Sequence, residues 1–408
     1  MPDPGRIQRR LEDLWTVSRG PGGGADRPAY SAAEAEAMVL VAGWARELGL
    51  EPGIDRFGNL WALPAGWSGP VVTAGSHVDT VPDGGRYDGA LGTVLGLELV
   101  ADLQATGAAG ARPGLLVCAA EEAPRFGAGT MGSRLLIGTL EPEALSGLRD
   151  ADGISAADAL AGYLADLDGL PRISPPVGRL RAHAEVHVAQ RRALRELGVV
   201  TTVASPRRFA VRIDGEAGHS GEVSMAERHD ALAAAAELVL AVEAAARAEP
   251  AETVATVGTI AVAPGALSVV PGEARLGIDV RGISSESLAR VDAAIRAATA
   301  EIAERRGVHA ELELVRDGEP AHLDRELAAA ALGAAAALAI PATETWSGAG
   351  HDAQHLSAIV PALLLFVPLH GGESHTPREG ADMDEIVQAA GVMAAVLAGT
   401  ALDTGHEV

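Results

Sequence analysis

The sequence predicts an α/β protein whose mixed, largely parallel sheet is interrupted by a second, smaller domain. Short apolar runs alternate with longer helical runs from about residue 31 to residue 200 and again after residue 317, a pattern typical of parallel sheets with crossover helices. Between residues 206 and 316 the order of elements changes. We therefore expect a first domain of residues 1–205 and 317–408, with residues 206–316 inserted into it.

The elements of the first domain follow from hydrophobic periodicity and from cap and turn residues. Ser31 and Glu34 form a capping box that begins a helix, and Pro113 precedes a strongly apolar strand. The predicted helices cover residues 7–16, 31–48, 90–106, 324–339 and a last stretch from about 384. The predicted strands cover residues 60–63, 71–74, 114–120, 181–190, 343–346 and 361–367.

The inserted domain has a different pattern. Phe209, Val211 and Ile213 alternate with other residues, as in a half-buried strand. Further strands are predicted at 253–262, 267–281 and 308–315, with one alanine-rich helix ending near 247 and another at 284–306. This β-α-β-β-α-β order is that of the ferredoxin-like split unit.

Composition limits the classes of partner. The chain has 408 residues with 55 acidic and 32 basic side chains, a formal charge of −23, which argues against nucleic acid or an anionic membrane as a partner. A single cysteine, Cys118, cannot support a disulfide framework and fits a reducing compartment. The N-terminus lacks the apolar segment of a signal peptide, and the apolar runs are too short to span a bilayer. These features predict a soluble, cytoplasmic protein whose length is typical of enzymes.

A group of potential metal ligands follows the predicted strand 71–74. His77 and Asp79 are two residues apart and point the same way in an extended chain, while Asp88 stands at the start of an apolar helix, where negative charge is favoured. An imidazole and two carboxylates at the end of a strand suggest a metal site. This stretch alone leaves open the alternative that both aspartates are turn and cap residues and that the histidine is incidental.

Other candidate ligands lie near the ends of other predicted strands. Glu121 and Glu122 follow one strand, His187 lies on a second, and His375 lies in a loop after a third. Because ligands bind at the carboxyl ends of parallel strands, we expect these side chains to meet. The expected centre holds two divalent ions about 3.5–4 Å apart. Its predicted ligands are His77, Asp88, Glu122, His187 and His375.

The same residues suggest separate roles. Asp88 is the natural bridge between two ions, because its helix N-terminus tolerates concentrated negative charge. Asp79 is expected to fix the tautomer of His77. Glu121, beside a ligand but free of the metals, is expected to take a proton from metal-bound water.

The sequence resembles the amidohydrolase branch of the M20 metallopeptidase family, which includes N-carbamoyl-L-amino-acid hydrolases, allantoate amidohydrolases and β-ureidopropionases. The resemblance runs through nearly the whole chain, and its motifs occur in the family's order. The motifs are GSHVDTVPDGGRYDGALG (75–92), EEAPRFG (121–127), EVHVAQ (185–190), GEAGHSG…M..RHDAL (215–232), SVVPGEARLGIDVR (268–281), SGAGHDA (347–353) and GGESHTPRE (371–379).

The resemblance implies how the ligands divide. His77, Asp88 and His187 would hold one ion, and Asp88, Glu122 and His375 would hold the other. Zinc is the expected metal, with manganese, cobalt or nickel as alternatives that suit the same donors.

The resemblance also implies that the inserted domain is a lid that carries a homodimer contact. His219 would stabilise the oxyanion of the tetrahedral intermediate, in its own subunit or in the partner's, and Arg281 would bind a substrate carboxylate. For Arg281 the alternative left open is an ion pair with Asp279, and for His219 an exposed loop histidine. Further residues expected on the substrate side are Gln190, Ser268, Ser347 and His351.

The chain departs from the family pattern at a few positions. Ala189 replaces a glutamate and Arg191 a glycine around the ligand His187, and Ser268 replaces an asparagine. These changes lie on the substrate side and leave the predicted ligands and the base intact. We therefore expect an active hydrolase whose substrate need not be the usual ureido acid.

The leading functional hypothesis is hydrolysis of a linear, non-peptide C–N bond in an N-carbamoyl, ureido or small amide substrate that bears a carboxylate. Metal-bound hydroxide would attack the carbonyl while Glu121 transfers the proton. One alternative is an aminoacylase or small-peptide hydrolase, because the wider family shares the metal site. The other is a non-catalytic binding protein, against which the intact Glu121 and His219 argue.

Overall fold

The computed structural model describes residues 2–106 and 112–402. The strands are β1 (Leu50–Ile54), β2 (Leu60–Pro64), β3 (Val71–Ala74), β4 (Arg112–Val117), β5 (Leu180–Val188), β6 (Leu197–Val203), β7 (Ser205–Asp214), β8 (Gly218–His219), β9 (Val254–Ala263), β10 (Val269–Val270), β11 (Glu273–Gly282), β12 (His309–Arg316), β13 (Ala321–His322), β14 (Ala342–Ser347) and β15 (Ala362–Val367). The helices are α1 (Pro4–Val17), α2 (Ala32–Glu47), α3 (Ala90–Thr106), α4 (Met131–Ile137), α5 (Ala156–Asp166), α6 (Ala231–Arg247), α7 (Ser285–Arg306), α8 (Arg325–Ala337), α9 (Asp352–Leu356) and α10 (Met383–Leu402).

The chain divides into two compact units. Within the described ranges, the first unit comprises the chain up to Thr201, His322–Trp346 and the chain from Gly350 onward. The second unit comprises Thr202–Ala321 and Ser347–Ala349. Residues 403–408 of the predicted first domain lie outside the described residues.

The first unit is built on a mixed nine-stranded sheet in the order β1-β2-β4-β3-β5-β15-β6-β13, with β14 paired to β6. The four central strands, β4, β3, β5 and β15, run parallel to one another, whereas β2 and β6 pair antiparallel at either side. The predicted fold class, a mixed α/β protein with a largely parallel sheet, is therefore confirmed.

The central strands are apolar because the sheet is covered by helices. Every residue of β3 and β15 is buried, and α3 packs on β3, β4 and β5. Strands buried on both faces are expected to be continuously hydrophobic, as the sequence Ala362–Val367 is. Because the central strands are parallel, their carboxyl ends lie at one edge of the sheet, and this edge carries the candidate site.

Some elements were missed by sequence analysis. Strand β1 was not predicted, and it contains Pro52 and Gly53, which disfavour strands; it is an edge strand paired with β2, where proline is tolerated. Strand β6 was not predicted. The single strand predicted at 267–281 is interrupted at Pro271 and Gly272, which separate β10 from β11.

The second unit contains an antiparallel sheet in the order β12-β7-β11-β9, together with helices α6 and α7. Phe209, Val211 and Ile213 on β7 point into its core, packed with apolar residues of both helices. The order of β7, α6, β9, β11, α7 and β12 along the chain is β-α-β-β-α-β. The outer strand β9 leaves Val254 and Ile260 about half exposed, at 50% and 49%.

In the part of the chain that the structure describes, every helix is too short or too polar to cross a lipid bilayer.

Candidate metal centre

The candidate centre is assembled from the segments that follow, or lie at the ends of, the four central strands. His77 and Asp88 follow β3, Glu122 follows β4, His187 is the penultimate residue of β5, and His375 follows β15. Four of these side chains are buried, and His375 is 44% exposed. The structure therefore brings together all the residues that sequence analysis nominated as metal ligands.

One side of the centre is formed by two imidazoles and a carboxylate. Nε2 of His187 lies 3.0 Å from Oδ1 of Asp88, and Nε2 of His77 lies 3.6 Å from the same oxygen. The two Nε2 atoms are 3.3 Å apart. These atoms are close enough together to bind one cation.

The tautomers of both imidazoles suit metal binding. Nδ1 of His77 is 3.0 Å from the backbone oxygen of Asp79, and Nδ1 of His187 is 3.2 Å from the backbone oxygen of Val188. A carbonyl oxygen only accepts hydrogen bonds, so in each neutral ring Nδ1 carries the hydrogen and Nε2 presents a lone pair. When both rings are neutral, as binding of a divalent ion requires, both lone pairs would face Asp88.

The other side of the centre uses the second oxygen of the same carboxylate. Nε2 of His375 lies 3.1 Å from Oδ2 of Asp88 and 3.6 Å from Oε1 of Glu122. Asp88, Glu122 and His375 also form a group close enough to bind one cation. Asp88 thus presents one oxygen to each group.

The charges of the centre are strongly coupled. Burial raises the pKa of Asp88, but the neighbouring His187, His375 and His77 together hold it well below its ordinary value. Burial and the charge of Asp88 raise the pKa of Glu122 to about 7, and the hydrogen bond to Asp88 raises that of His375 to about 9. A bound divalent cation would replace these protons and neutralise the crowded carboxylates.

Glu121 lies beside these groups. Its Oε2 is 3.7 Å from Nε2 of His77, and the residue is 9% exposed. Burial, together with the charge of Glu122, raises the pKa of Glu121 well above its ordinary value even though His77 opposes this effect. A carboxylate with a raised pKa next to a metal centre is suited to proton transfer.

Asp79 contacts more of the centre than its predicted role requires. Its Oδ1 is 3.4 Å from Nδ1 of His77, and the carboxylate also accepts hydrogen bonds from the backbone N–H groups of Glu121 at 3.1 Å and Glu122 at 2.9 Å. One buried carboxylate therefore orients a histidine and the backbone of both glutamates.

Two of the predicted substrate-side residues lie in the first unit. The amide nitrogen of Gln190 donates to Oδ2 of Asp88 at 3.2 Å and lies 3.0 Å from Nε2 of His375. His351 is buried, and its ring packs edge-on against His187 with centroids 4.5 Å apart. Burial and the charge of His187 hold the pKa of His351 well below its ordinary value, so this ring is neutral.

The other predicted residues lie in the second unit. His219 is exposed, and its Nδ1 accepts a hydrogen bond from the N–H of Gly221 at 3.1 Å. Arg281 forms the ion pair with Asp279 that sequence analysis left open, with Nε 3.0 Å from Oδ1, and it also donates to the oxygen of Gly348. Ser268 is exposed. The hydroxyl of Ser347 bonds to the backbone of its own turn.

Two buried polar residues around the centre, Glu185 and Glu379, were not predicted as site residues from the sequence. Glu185, on the same face of β5 as His187, accepts hydrogen bonds from the Ser76 hydroxyl at 2.7 Å and the Ala353 N–H at 2.8 Å. The alternation along β5 was its only signal. Glu379 contacts the backbone at Asp88 across 291 residues of sequence, a contact that no local pattern indicates.

Residues 73–399 match the family model described as Peptidase family M20/M25/M40. The N-carbamoyl-L-amino acid amidohydrolase of Geobacillus stearothermophilus is 36% identical over 395 residues, covering 95% of this chain and 96% of the relative. The allantoate amidohydrolase of Bacillus subtilis is 31% identical over 375 residues, covering 88% of each chain.

Solved structures of other proteins have a similar fold. An amidase of the hydantoinase/carbamoylase family from Burkholderia multivorans matches with a TM-score of 0.86 at 30% sequence identity, over 98% of both chains. The family model covers most of this chain, and the relatives align with it over nearly their whole length. The chain belongs to Peptidase family M20/M25/M40.

Proposed function

We propose that this M20-family amidohydrolase cleaves a linear, non-peptide C–N bond in a small ureido, N-carbamoyl or amide substrate that carries a carboxylate. The observation that carries the proposal is the geometry of Asp88, whose two oxygens face different groups of imidazole and carboxylate side chains. A shared carboxylate of this kind suits two catalytic metal ions. The activities named for the curated relatives support the choice of bond.

In this proposal His77, Asp88 and His187 hold one divalent ion, and Asp88, Glu122 and His375 hold the other. Zinc suits imidazole and carboxylate donors, and manganese, cobalt and nickel are alternatives. Bound there, the ions would polarise the substrate carbonyl and lower the pKa of water.

Glu121 is the proposed general base. It accepts a proton from the attacking water and returns it to the leaving nitrogen. The position of Glu121 supports this role, because its buried carboxylate lies beside His77, with Oε2 3.7 Å from Nε2. Asp79 supports the same step, because its carboxylate bonds to the N–H of Glu121 and so limits movement of the base.

The second unit is proposed to supply the substrate carboxylate site and the oxyanion donor. Arg208 and Arg281 share the single carboxylate of Asp279, so this group of side chains keeps a net positive charge. That charge suits an anionic substrate. His219, with Nδ1 accepting the Gly221 N–H, carries its hydrogen on Nε2 when neutral and can donate it to an oxyanion.

The remaining parts of the proposal concern assembly and location. Residues 206–316 would act as a lid and carry a homodimer contact, which the half-exposed apolar residues of the outer strand β9 support. Gln190, Ser268, Ser347 and His351 would line the substrate side. The buried free thiol of Cys118 supports a reducing compartment, the cytoplasm.

The test is the release of ammonia or amine from a substrate panel by metal-reconstituted protein. The panel contains N-carbamoyl-L-amino acids, allantoate, 3-ureidopropionate, N-acyl amino acids and dipeptides. We expect turnover of a ureido or N-carbamoyl acid, and loss of that turnover in Glu121→Ala with both metals still bound. Turnover of only N-acyl amino acids or dipeptides would contradict the proposed bond, and undiminished turnover by Glu121→Ala would contradict the proposed base.

A further inference from the structure

Glu379 lies in the loop after β15 and is 7% exposed. One of its carboxylate oxygens, Oε2, accepts hydrogen bonds from the backbone N–H of Tyr87 at 2.7 Å and of Asp88 at 3.1 Å. The other oxygen, Oε1, accepts a hydrogen bond from the hydroxyl of Ser374 at 3.1 Å. Glu379 therefore links the backbone at Asp88 to the loop that contains His375 through hydrogen bonds.

Ser374 completes a second connection between the same parts. Its hydroxyl also lies 3.1 Å from Oδ2 of Asp88, the oxygen that faces His375. The residue Asp88 is thus held through its own backbone N–H by Glu379, and its Oδ2 shares the single hydrogen of the Ser374 hydroxyl with Oε1 of Glu379. Both connections act on the orientation of this one side chain.

The chain around Asp88 also leaves room for this contact. A Cβ atom at Gly85 would lie 2.0 Å from Oε2 of Glu379, far inside van der Waals contact. The absence of a side chain at Gly85 therefore allows the glutamate to reach the N–H groups of the two residues that follow Arg86. The contact therefore requires both a glycine at position 85 and a glutamate at position 379.

We propose that Glu379 is a positioning residue for the metal centre: it sets the orientation of the Asp88 carboxylate so that each oxygen faces a different ion. This inference rests on the proposed function, because it assigns a bridging role to Asp88. Hydrogen-bonded partners of metal ligands typically change metal affinity about 10- to 100-fold when they are removed. Glu379 acts on the shared ligand, so its loss should weaken binding of both ions.

The variants separate positioning from general stability. Glu379→Ala removes every contact, whereas Glu379→Gln keeps a carbonyl oxygen that can accept from both N–H groups and an amide that can donate to Ser374. Glu373→Ala is the matched control: it is a glutamate of the same loop, but its carboxylate pairs with Arg378 at 3.0 Å. We expect Glu379→Gln to restore most of what Glu379→Ala loses, and Glu373→Ala to resemble the wild type.

The first measurement is amide hydrogen exchange of the metal-free proteins, which needs no metal. Exchange at Tyr87 and Asp88 should become faster in Glu379→Ala but not in Glu379→Gln or Glu373→Ala. Unchanged exchange in a folded Glu379→Ala protein would overturn the inference, because the backbone would then not depend on this carboxylate.

The second measurement is titration of the same metal-free proteins with Zn²⁺ by calorimetry. Wild type should bind two ions, and Glu379→Ala should bind both about 10- to 100-fold more weakly. If wild type binds two ions and Glu379→Ala binds them equally tightly, the inference is wrong while the metal centre stands. If wild type itself binds no metal, the proposed metal centre is wrong, and the positioning role of Glu379 is then wrong as well, because Asp88 would not be a bridging ligand.

Discussion

Gly89 packs directly against the imidazole ring of His77, and its replacement by alanine tests the geometry of the centre. Its φ angle is +65°, in the region that side chains disfavour. A Cβ atom at this position would lie 2.4 Å from both Nδ1 and Cε1 of His77. The ring is fully buried, and its Nδ1 bonds to the backbone oxygen of Asp79, so it cannot move aside without losing that bond.

The expected cost of Gly89→Ala has two parts. A left-handed conformation costs an alanine about 1–2 kcal/mol. Forcing extra volume into a packed interior costs a further 1–3 kcal/mol, approximately. The variant should therefore lose roughly 2–5 kcal/mol of unfolding free energy. Displacement of the His77 ring should also weaken binding of the ion that it ligates by more than about tenfold.

Gly66→Ala is the matched control. Gly66 has nearly the same φ, +64°, but its Cβ would meet no atom within 4 Å. Urea unfolding of the metal-free proteins, followed by Zn²⁺ titration, compares the two variants. The control should lose only the conformational part and keep its metal affinity. Equal losses of stability in both variants, with two ions bound normally by Gly89→Ala, would refute the close packing of His77 against Gly89.

Three further predictions concern catalysis, acid stability and specificity. Glu121→Gln should retain both ions by metal analysis and lose about 10²- to 10⁴-fold in kcat, and retention of most of the activity would contradict its role as the base. His183 has its pKa lowered by burial to about 3, so the unfolded chain, with a histidine pKa of about 6.5, takes up a proton that the folded protein rejects. The free energy of unfolding should therefore fall as the pH drops below about 6.5, with His183 contributing a loss of about 2 kcal/mol at pH 5. Urea unfolding of His183→Gln over the same pH range should lack this loss. If the pH dependence of stability is the same in the variant and the wild type, the predicted contribution of His183 is wrong. Arg191 stacks over Trp346 at 4.2 Å and follows Gln190 in the chain. Because its positive charge would attract an anionic side chain, Arg191→Gly should raise KM for N-carbamoyl-L-aspartate on the order of threefold to tenfold more than KM for N-carbamoyl-L-alanine. Equal changes in the two KM values would exclude an electrostatic role for Arg191 in substrate specificity.

Much of the architecture could be predicted because local patterns carry it. Strand β3 and helix α3 follow from an apolar run, a turn cluster and a second apolar run, and the resulting alternation predicts a parallel sheet. Elements could not be predicted where local signals conflict with the tertiary environment. Pro52 and Gly53 disfavour a strand, but pairing with β2 at the sheet edge makes them part of β1.

The sequence also determined which types of side chain form the candidate metal centre. His77, Asp88, Glu122, His187 and His375 could be nominated because each lies near the end of a predicted strand, and parallel strands place those ends at one edge. The family resemblance rests on the same motifs. These features depend on residue type and order, which are explicit in the chain.

Only the tertiary structure decided how these groups are oriented. The direction of each Asp88 oxygen depends on contacts with His187 on β5 and His375 beyond β15, and on the hydrogen bonds from its backbone to Glu379. The neutral tautomer of His77 depends on a backbone carbonyl as well as on the predicted carboxylate of Asp79. Such contacts join residues far apart in sequence or involve backbone atoms that every residue possesses. Since neither leaves a local pattern, the sequence alone cannot specify them.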